Sequence, residues 1–149
     1  MNEIEIQVAA QSEKLPSADQ LQRWVDAALA DYGSDAELVV RIVEKEESSN
    51  LNEQYRHKQG PTNILSFPFE VPDGIHLNLL GDLVICAPVV AEEARAQDKP
   101  LENHWAHIVV HGILHLLGYD HIDEVDAEEM ESKEVAILAQ LNISNPYEA

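Results

Sequence analysis

Residues 101–121 read LENHWAHIVVHGILHLLGYDH, and this stretch decides how the rest of the chain is read. From Leu101 to Leu117 it is apolar on nearly every side, the pattern of a helix buried at the centre of a fold rather than laid on its surface. Four histidines interrupt it. His104, His107, His111 and His115 follow at offsets of three, four and four, so they form one polar stripe along an otherwise apolar rod. A buried polar stripe must be satisfied by ligands or by hydrogen bonds. His111 and His115 sit one turn apart on the same face and can reach one ion. Gly118 can take a left-handed conformation and end the helix, which lets His121 swing back as a third ligand.

The resulting pattern H-x3-H-x2-G-x2-H has the ligand spacing of the metzincin peptidases, H-E-x-x-H-x-x-G-x-x-H, with one difference. Gly112 stands where those enzymes carry the glutamate that acts as general base. Three neutral imidazoles favour zinc and leave a fourth position for water, the arrangement of a catalytic rather than a structural site. Such an ion lowers the pKa of bound water to about 7. The alternative is that the histidines merely line a buried helix; three at this spacing with the glycine in register favour the metal. His107 lies one turn before His111, about 6 Å along the axis, and reads as a hydrogen-bonded neighbour rather than a direct ligand.

The chain of 149 residues fits one domain, residues 1–149, large enough to bury a core without staples. Its beginning, Met1-Asn2-Glu3-Ile4-Glu5-Ile6, lacks the basic and apolar regions of a signal peptide, and no apolar stretch reaches membrane-spanning length. The single Cys86 suits a reducing cytoplasm and reads as a small core residue. Nine Lys and Arg against 28 Asp and Glu give a formal charge of −19, which opposes non-specific attraction to nucleic acid. Any polyanion must therefore find a local basic patch, and the one tight cluster is Arg56-His57-Lys58. The acidic run Asp123, Glu124, Asp126, Glu128, Glu129, Glu131 and Glu134 reads as the solvated face of a last helix.

Alternation from Glu3 to Val8 predicts a half-buried strand. Ser17 offers an N-cap to a helix with the stripe Leu21, Trp24, Val25, Ala28 and Leu29, ending near Gly33. Glu37 to Val43 reads as a second strand. Ser48 or Ser49 would cap a short helix that runs through Leu51 and Tyr55 into the basic cluster and is broken by Gly60-Pro61. Ile64 to Phe67 is a short strand ended by Pro68, Val71 to Asn78 a loop, and Gly81 to Cys86 a buried strand. Helices follow over Val89 to Gln97, Leu101 to Leu117 and about Asp123 to Leu141, the last burying Val125, Met130, Val135, Ile137 and Leu138. The order β-α-β-α-β-β-α-α-α predicts an α/β or α+β fold: a small mixed four-stranded sheet packed with about five helices, the metal helix at its core.

Four separated blocks, Leu51-Asn52-Glu53-Gln54-Tyr55-Arg56, Pro61 to Pro68, Gly81 to Cys86 and His111 to His121, together resemble the bacterial YbeY family, in order from about residue 38 to the end. The resemblance implies a zincin-like metalloprotein acting as an endoribonuclease in ribosomal RNA processing, notably near the small-subunit RNA 3′ end, and in ribosome quality control. It carries the metal ligands onto His111, His115 and His121 and the functional arginine onto Arg56. The partners it implies are ribosomal RNA and the small subunit, with ribosomal proteins or a ribosome-assembly GTPase, in the cytoplasm and away from membranes.

Chemically, the guanidinium of Arg56 presents a planar fork matched to phosphate and keeps its charge, although pairing with a surface carboxylate is its bland alternative. Lys58 is a weaker candidate of the same kind. RNA reduces the need for the missing glutamate because its 2′-OH is an internal nucleophile beside the phosphorus; attack by water is the alternative. Asp82 and Asp120 could accept a proton or orient a ligand histidine, but turn or capping chemistry is the favoured reading for both. Ser66 and Thr62 are expected to line the cleft. The rival functions are a metallopeptidase or amidohydrolase, opposed by Gly112, and a non-catalytic assembly factor whose zinc only holds the fold.

Overall fold

The computed structural model describes residues 2–11, 14–32, 35–69, 78–119 and 124–147. Its elements are β1 (Glu3–Val8), α1 (Ala18–Ala28), β2 (Glu37–Val43), α2 (Lys45–Arg56), β3 (Ile64–Pro68), β4 (Leu79–Cys86), α3 (Ala87–Ala96), α4 (Leu101–Leu116) and α5 (Glu124–Gln140), in the order predicted. The sheet runs β1-β2-β4-β3, with β1, β2 and β4 parallel and β3 antiparallel at one edge. Parallel neighbours need a crossover, and α1 supplies it between β1 and β2.

Strand alternation sends Leu38, Val40, Ile42, Leu83 and Ile85 into one core with α1 and α4, and Val43, Leu65, Val84 and Cys86 into a smaller core beneath α2. Leu21 and Val25 of α1 are fully buried, and burial of each such side chain contributes about 1.5–3 kcal/mol. The start of α1 is closed by a capping box: Gln20 N–H donates to Ser17 Oγ and Ser17 N–H to Gln20 Oε1, at 3.1 and 2.8 Å. The helix stops at Ala28; Gly33 lies outside the described residues.

Two boundaries differ from expectation for physical reasons. α2 begins at Lys45 with Glu44 as its N-cap, so neither Ser48 nor Ser49 caps it; Ser48 is buried inside the helix and committed to Thr62. β4 begins two residues early, at Leu79, because the ladder to β2 carries a bulge in which Glu37 pairs with Leu79 and Leu38 with Gly81. Gly81 has φ +142°, and a Cβ there would stand 2.2 Å from the Phe67 carbonyl oxygen, so the bulge depends on glycine. The loop expected over residues 71–78 lies outside the described residues except for Asn78.

Helix α4 is the central rod that its composition predicts, packed on α1, α3, α5 and β3. It ends in a Schellman motif. Gly118, at φ +100°, donates to His115 O, and Tyr119 N–H donates to Leu114 O, both at 3.0 Å. In α5, Met130, Ile137 and Leu138 are buried and Val135 only partly so, while the side chain of Val125 is outside the described residues. No described helix is long and apolar enough to cross a membrane.

Candidate active site

One wall of a 540 Å³ cleft is built from the last two turns of α4 and its cap, with His111, His115, Gly118 and Tyr119. Edge strand β3 and the segment before it supply Thr62, Asn63, Ile64, Ser66 and Pro68, and the end of α2 supplies Arg56. Helical spacing brings the two imidazoles of the motif together as argued, with Nε2 of His115 3.1 Å from Nε2 of His111. His121 and Asp120 fall outside the described residues.

The opposite nitrogen of His111 faces Glu134. Nδ1 of His111 and Oε1 of Glu134 are in close hydrogen-bond contact, while Oε2 accepts from Nε2 of His107 at 3.0 Å and from the Tyr147 hydroxyl. Glu134, which the sequence groups with the solvated acidic run, is completely buried. The signal was available. Glu134 lies four residues after Met130 and three and four before Ile137 and Leu138, on the apolar stripe of α5. Burial alone would raise its pKa, but the hydrogen bonds from His107, His111 and Tyr147 outweigh that and hold it at about 2. Burial and the neighbouring Glu134 carboxylate push the Tyr147 hydroxyl upward. Tyr147 thus remains a donor.

Along the rest of the stripe each ring meets a carboxylate through Nε2, while Nδ1 of His104 and of His107 is buried without a partner among the described residues. His104, buried, contacts Glu93 of α3 at 2.9 Å, and Asn63 Nδ2 donates to the same carboxylate at 3.2 Å. Burial raises the Glu93 pKa, and the bonds from His104 and Asn63 bring it below its ordinary value.

His107, His111 and Glu134 offer ligand atoms that all lie within 4.8 Å of one another, a His/His/Glu cluster able to coordinate a single zinc ion per chain. The pair of facing Nε2 atoms fits an ion from the cleft side as well. Two nitrogens at about 2.0–2.1 Å from a tetrahedral zinc stand about 3.3 Å apart, close to what His111 and His115 already show.

Arg56 is exposed at the C-terminal end of α2 and is the cationic residue among the described residues that line the cleft. His57 closes the helix in a left-handed conformation, at φ 57°. Two buried polar side chains of α2 that composition did not single out hold the following loop: Asn52 Nδ2 donates to Gly60 O, and Ser48 Oγ exchanges hydrogen bonds with the N–H and C=O of Thr62, all at 3.0 Å. Both lie, at helical spacing, on the face that carries Leu51 and Tyr55, the apolar residues of α2. Ser66 and Thr62 line the cleft as expected, and Ser66 Oγ also donates to Gly112 O at 3.3 Å. Lys58 is exposed and is not among the residues lining the cleft. Asp82 is not a turn residue and is not among the described residues that line the cleft of His111 and His115. It lies within β4, on the sheet face away from α4, exposed in a separate groove with Glu5 and Val39.

The endoribonuclease YbeY family matches residues 5–142. This chain belongs to the YbeY family. It is 59% identical over 148 residues to the endoribonuclease YbeY of Colwellia psychrerythraea, covering 97% of this chain and 96% of that one. To the endoribonuclease YbeY of Alteromonas mediterranea it is 55% identical over 152 residues, with 98% and 96% covered. The solution structure of a Thermotoga maritima protein shares the fold, with a TM-score of 0.58 at 23% identity over 97% of this chain and 99% of that one. For this YbeY-family chain, the motif glycine that departs from zinc peptidases has a packing role. A Cβ on Gly112 would lie 2.4 Å from Ile64 Cδ1 and 2.9 Å from Leu83 Cδ2.

Proposed function

We propose that this YbeY-family chain is, over residues 1–149, one zinc-dependent endoribonuclease domain that cuts single-stranded RNA in ribosomal RNA maturation, near the small-subunit RNA 3′ end, and in ribosome quality control. The observation that carries the reading is the facing Nε2 pair of His111 and His115 in a cleft that also holds Arg56. His111, His115 and His121 would hold the zinc, with Glu134 bonded to the far side of the His111 ring. Bound there, zinc supplies positive charge and an activated water at neutral pH.

The protein's own groups bind and orient the phosphodiester. Arg56 places a permanent positive charge and a two-pronged donor against a phosphate whose charge grows in the transition state. The hydroxyls of Thr62 and Ser66 and the amide of Asn63 offer further polar contacts along the same wall. The Arg56 charge matters more in a chain of net charge −19, where little else attracts RNA. The ribose 2′-OH, held beside the phosphorus, serves as the internal nucleophile and displaces the 5′-oxygen to leave a cyclic phosphate; a zinc held by the histidines would supply the hydroxide that takes its proton, so a general-base glutamate at position 112 is not required.

The test is single-turnover cleavage of a small-subunit ribosomal RNA fragment by wild type, His115→Ala and Arg56→Glu, beside hydrolysis of a casein substrate. RNA cleavage lost in His115→Ala and slowed roughly ten- to a hundredfold in Arg56→Glu, with no peptide hydrolysis, is the expected result. Efficient peptide hydrolysis by the wild type would overturn the reading. Folded ligand variants that still support ribosome maturation would replace it with a non-catalytic assembly role. Deoxyribose at the cut should stop the reaction, and undiminished cutting that leaves a 3′-OH would assign the attack to water instead.

A further inference from the structure

Past the end of α5 the chain turns back through Asn142, at φ 62°, and runs along the N-terminal half of α4. It is fastened there at two points. Lys99 Nζ donates to Pro146 O at 2.8 Å, and the next residue, Tyr147, packs edge-on against the His107 ring with centroids 5.5 Å apart and delivers its hydroxyl to Glu134 Oε2. Glu134 is the most deeply buried acid of the site, and its two oxygens do different things. Oε2 is occupied by His107 and Tyr147, which leaves Oε1 directed at His111 Nδ1. The contact sets His111 Nδ1 against a carboxylate oxygen, so in the neutral ring Nδ1–H is the donor and the lone pair is on Nε2, the atom that faces His115.

We propose that Glu134 and Tyr147 are positioning residues for the metal centre: Tyr147 and His107 lock the rotation of the Glu134 carboxylate, and the carboxylate fixes His111 in the tautomer and ring orientation that ligates through Nε2. The C-terminal segment thereby acts as a strap that completes the site. This rests on the reading that His111 and His115 hold the zinc. Hydrogen-bond partners of ligand histidines raise ligand basicity and remove rotational freedom, and their loss typically weakens metal binding by about 10- to 100-fold.

The experiment uses full-length protein and two readouts independent of activity. Zinc affinity is measured by competition with a chromogenic chelator, and the His111 ring tautomer by nitrogen-15 NMR of the metal-free protein. Glu134→Gln keeps the size of the side chain but cannot accept from three donors, and Tyr147→Phe removes only the hydroxyl. Zinc binding should weaken by about 10- to 100-fold in Glu134→Gln and by about tenfold in Tyr147→Phe, with the His111 Nδ1–H signal diminished in both. A merely structural role would lower the melting temperature of the metal-free protein without changing the affinity of the folded fraction; that result, or affinities within twofold of wild type, overturns the proposal. His111→Ala and His115→Ala separate its failure from failure of the underlying site. If His115→Ala retains zinc while Glu134→Gln and His107→Ala each lose it completely, the ion sits in the His107, His111 and Glu134 cluster, and both readings fall.

Discussion

Gly112 packs beneath Ile64 so closely that a Cβ on the glycine would stand 2.4 Å from the Ile64 Cδ1 atom. Ile64 and Leu83 are themselves buried, so neither can swing aside freely. Helix propensity favours Gly112→Ala by up to about 1 kcal/mol, whereas overpacking costs about 1–3 kcal/mol. The variant should lose up to about 2 kcal/mol in denaturant unfolding. Gly112→Glu, which restores the peptidase motif, should be destabilised further and hydrolyse no peptide; a stable, peptide-cleaving variant would show that the close contact yields easily.

Arg56 is exposed at a helix end, away from both cores, so changing it should not disturb folding. Arg56→Glu should slow single-turnover RNA cleavage by roughly ten- to a hundredfold, equivalent to about 1.5–3 kcal/mol for one charge-assisted contact. Arg56→Lys keeps the charge and loses the fork, so its loss should be partial. Zinc content and melting temperature should match wild type; a parallel loss of zinc would make Arg56 structural.

Stoichiometric zinc should be present in the purified protein and absent from the His111→Ala, His115→Ala double variant. Imidazole binds metal only when neutral, so acidification should release the ion as the histidines protonate. Elemental analysis across a pH series checks both statements, and full retention of zinc by the double variant would remove the facing pair from the site.

Glu93, bonded to His104 and Asn63, has a folded-state pKa below its ordinary 4.5. A depressed carboxylate pKa means that the unfolded chain binds more protons in that range. Its stabilisation is therefore complete above the ordinary carboxylate range and is lost as pH falls below about 4.5. Glu93→Gln should flatten the fall of stability between about pH 5 and 3 relative to wild type. Identical acid limbs in urea unfolding would contradict this linkage.

Ser48 closes the base of the cleft wall through paired hydrogen bonds to Thr62. Ser48→Ala removes the partner of the N–H and C=O of half-buried Thr62, at a cost of about 1 kcal/mol. Because Thr62 and Asn63 line the cleft, cleavage should slow while zinc content stays unchanged. An unaltered rate at matched folded fraction would show that this wall does not touch substrate.

What the sequence determined by itself were the features that repeat locally. The four-strand, five-helix order, the capped start of α1 at Ser17, the buried rod of α4 and its end at Gly118 follow from periodicity and from backbone restrictions within a few residues of each position. The His111–His115 pair belongs with them, since one helical turn places both rings on the same side. Periodicity places Glu134 on the apolar stripe of α5, but tertiary structure alone decided which partners the carboxylates meet. Glu134 and Asp82 are indistinguishable by composition, yet one is sealed under three hydrogen bonds and the other lies open on the far sheet face. That difference depends on how α5 and the segment ending at Tyr147 lie across α4, contacts between residues 13 to 40 positions apart that no local pattern encodes. The same is true of Ser48 and Gly112, whose roles come from the loop and strand that pack against them. Local sterics and helical pitch act over a few residues, whereas desolvation and hydrogen-bond pairing are set only when distant segments meet.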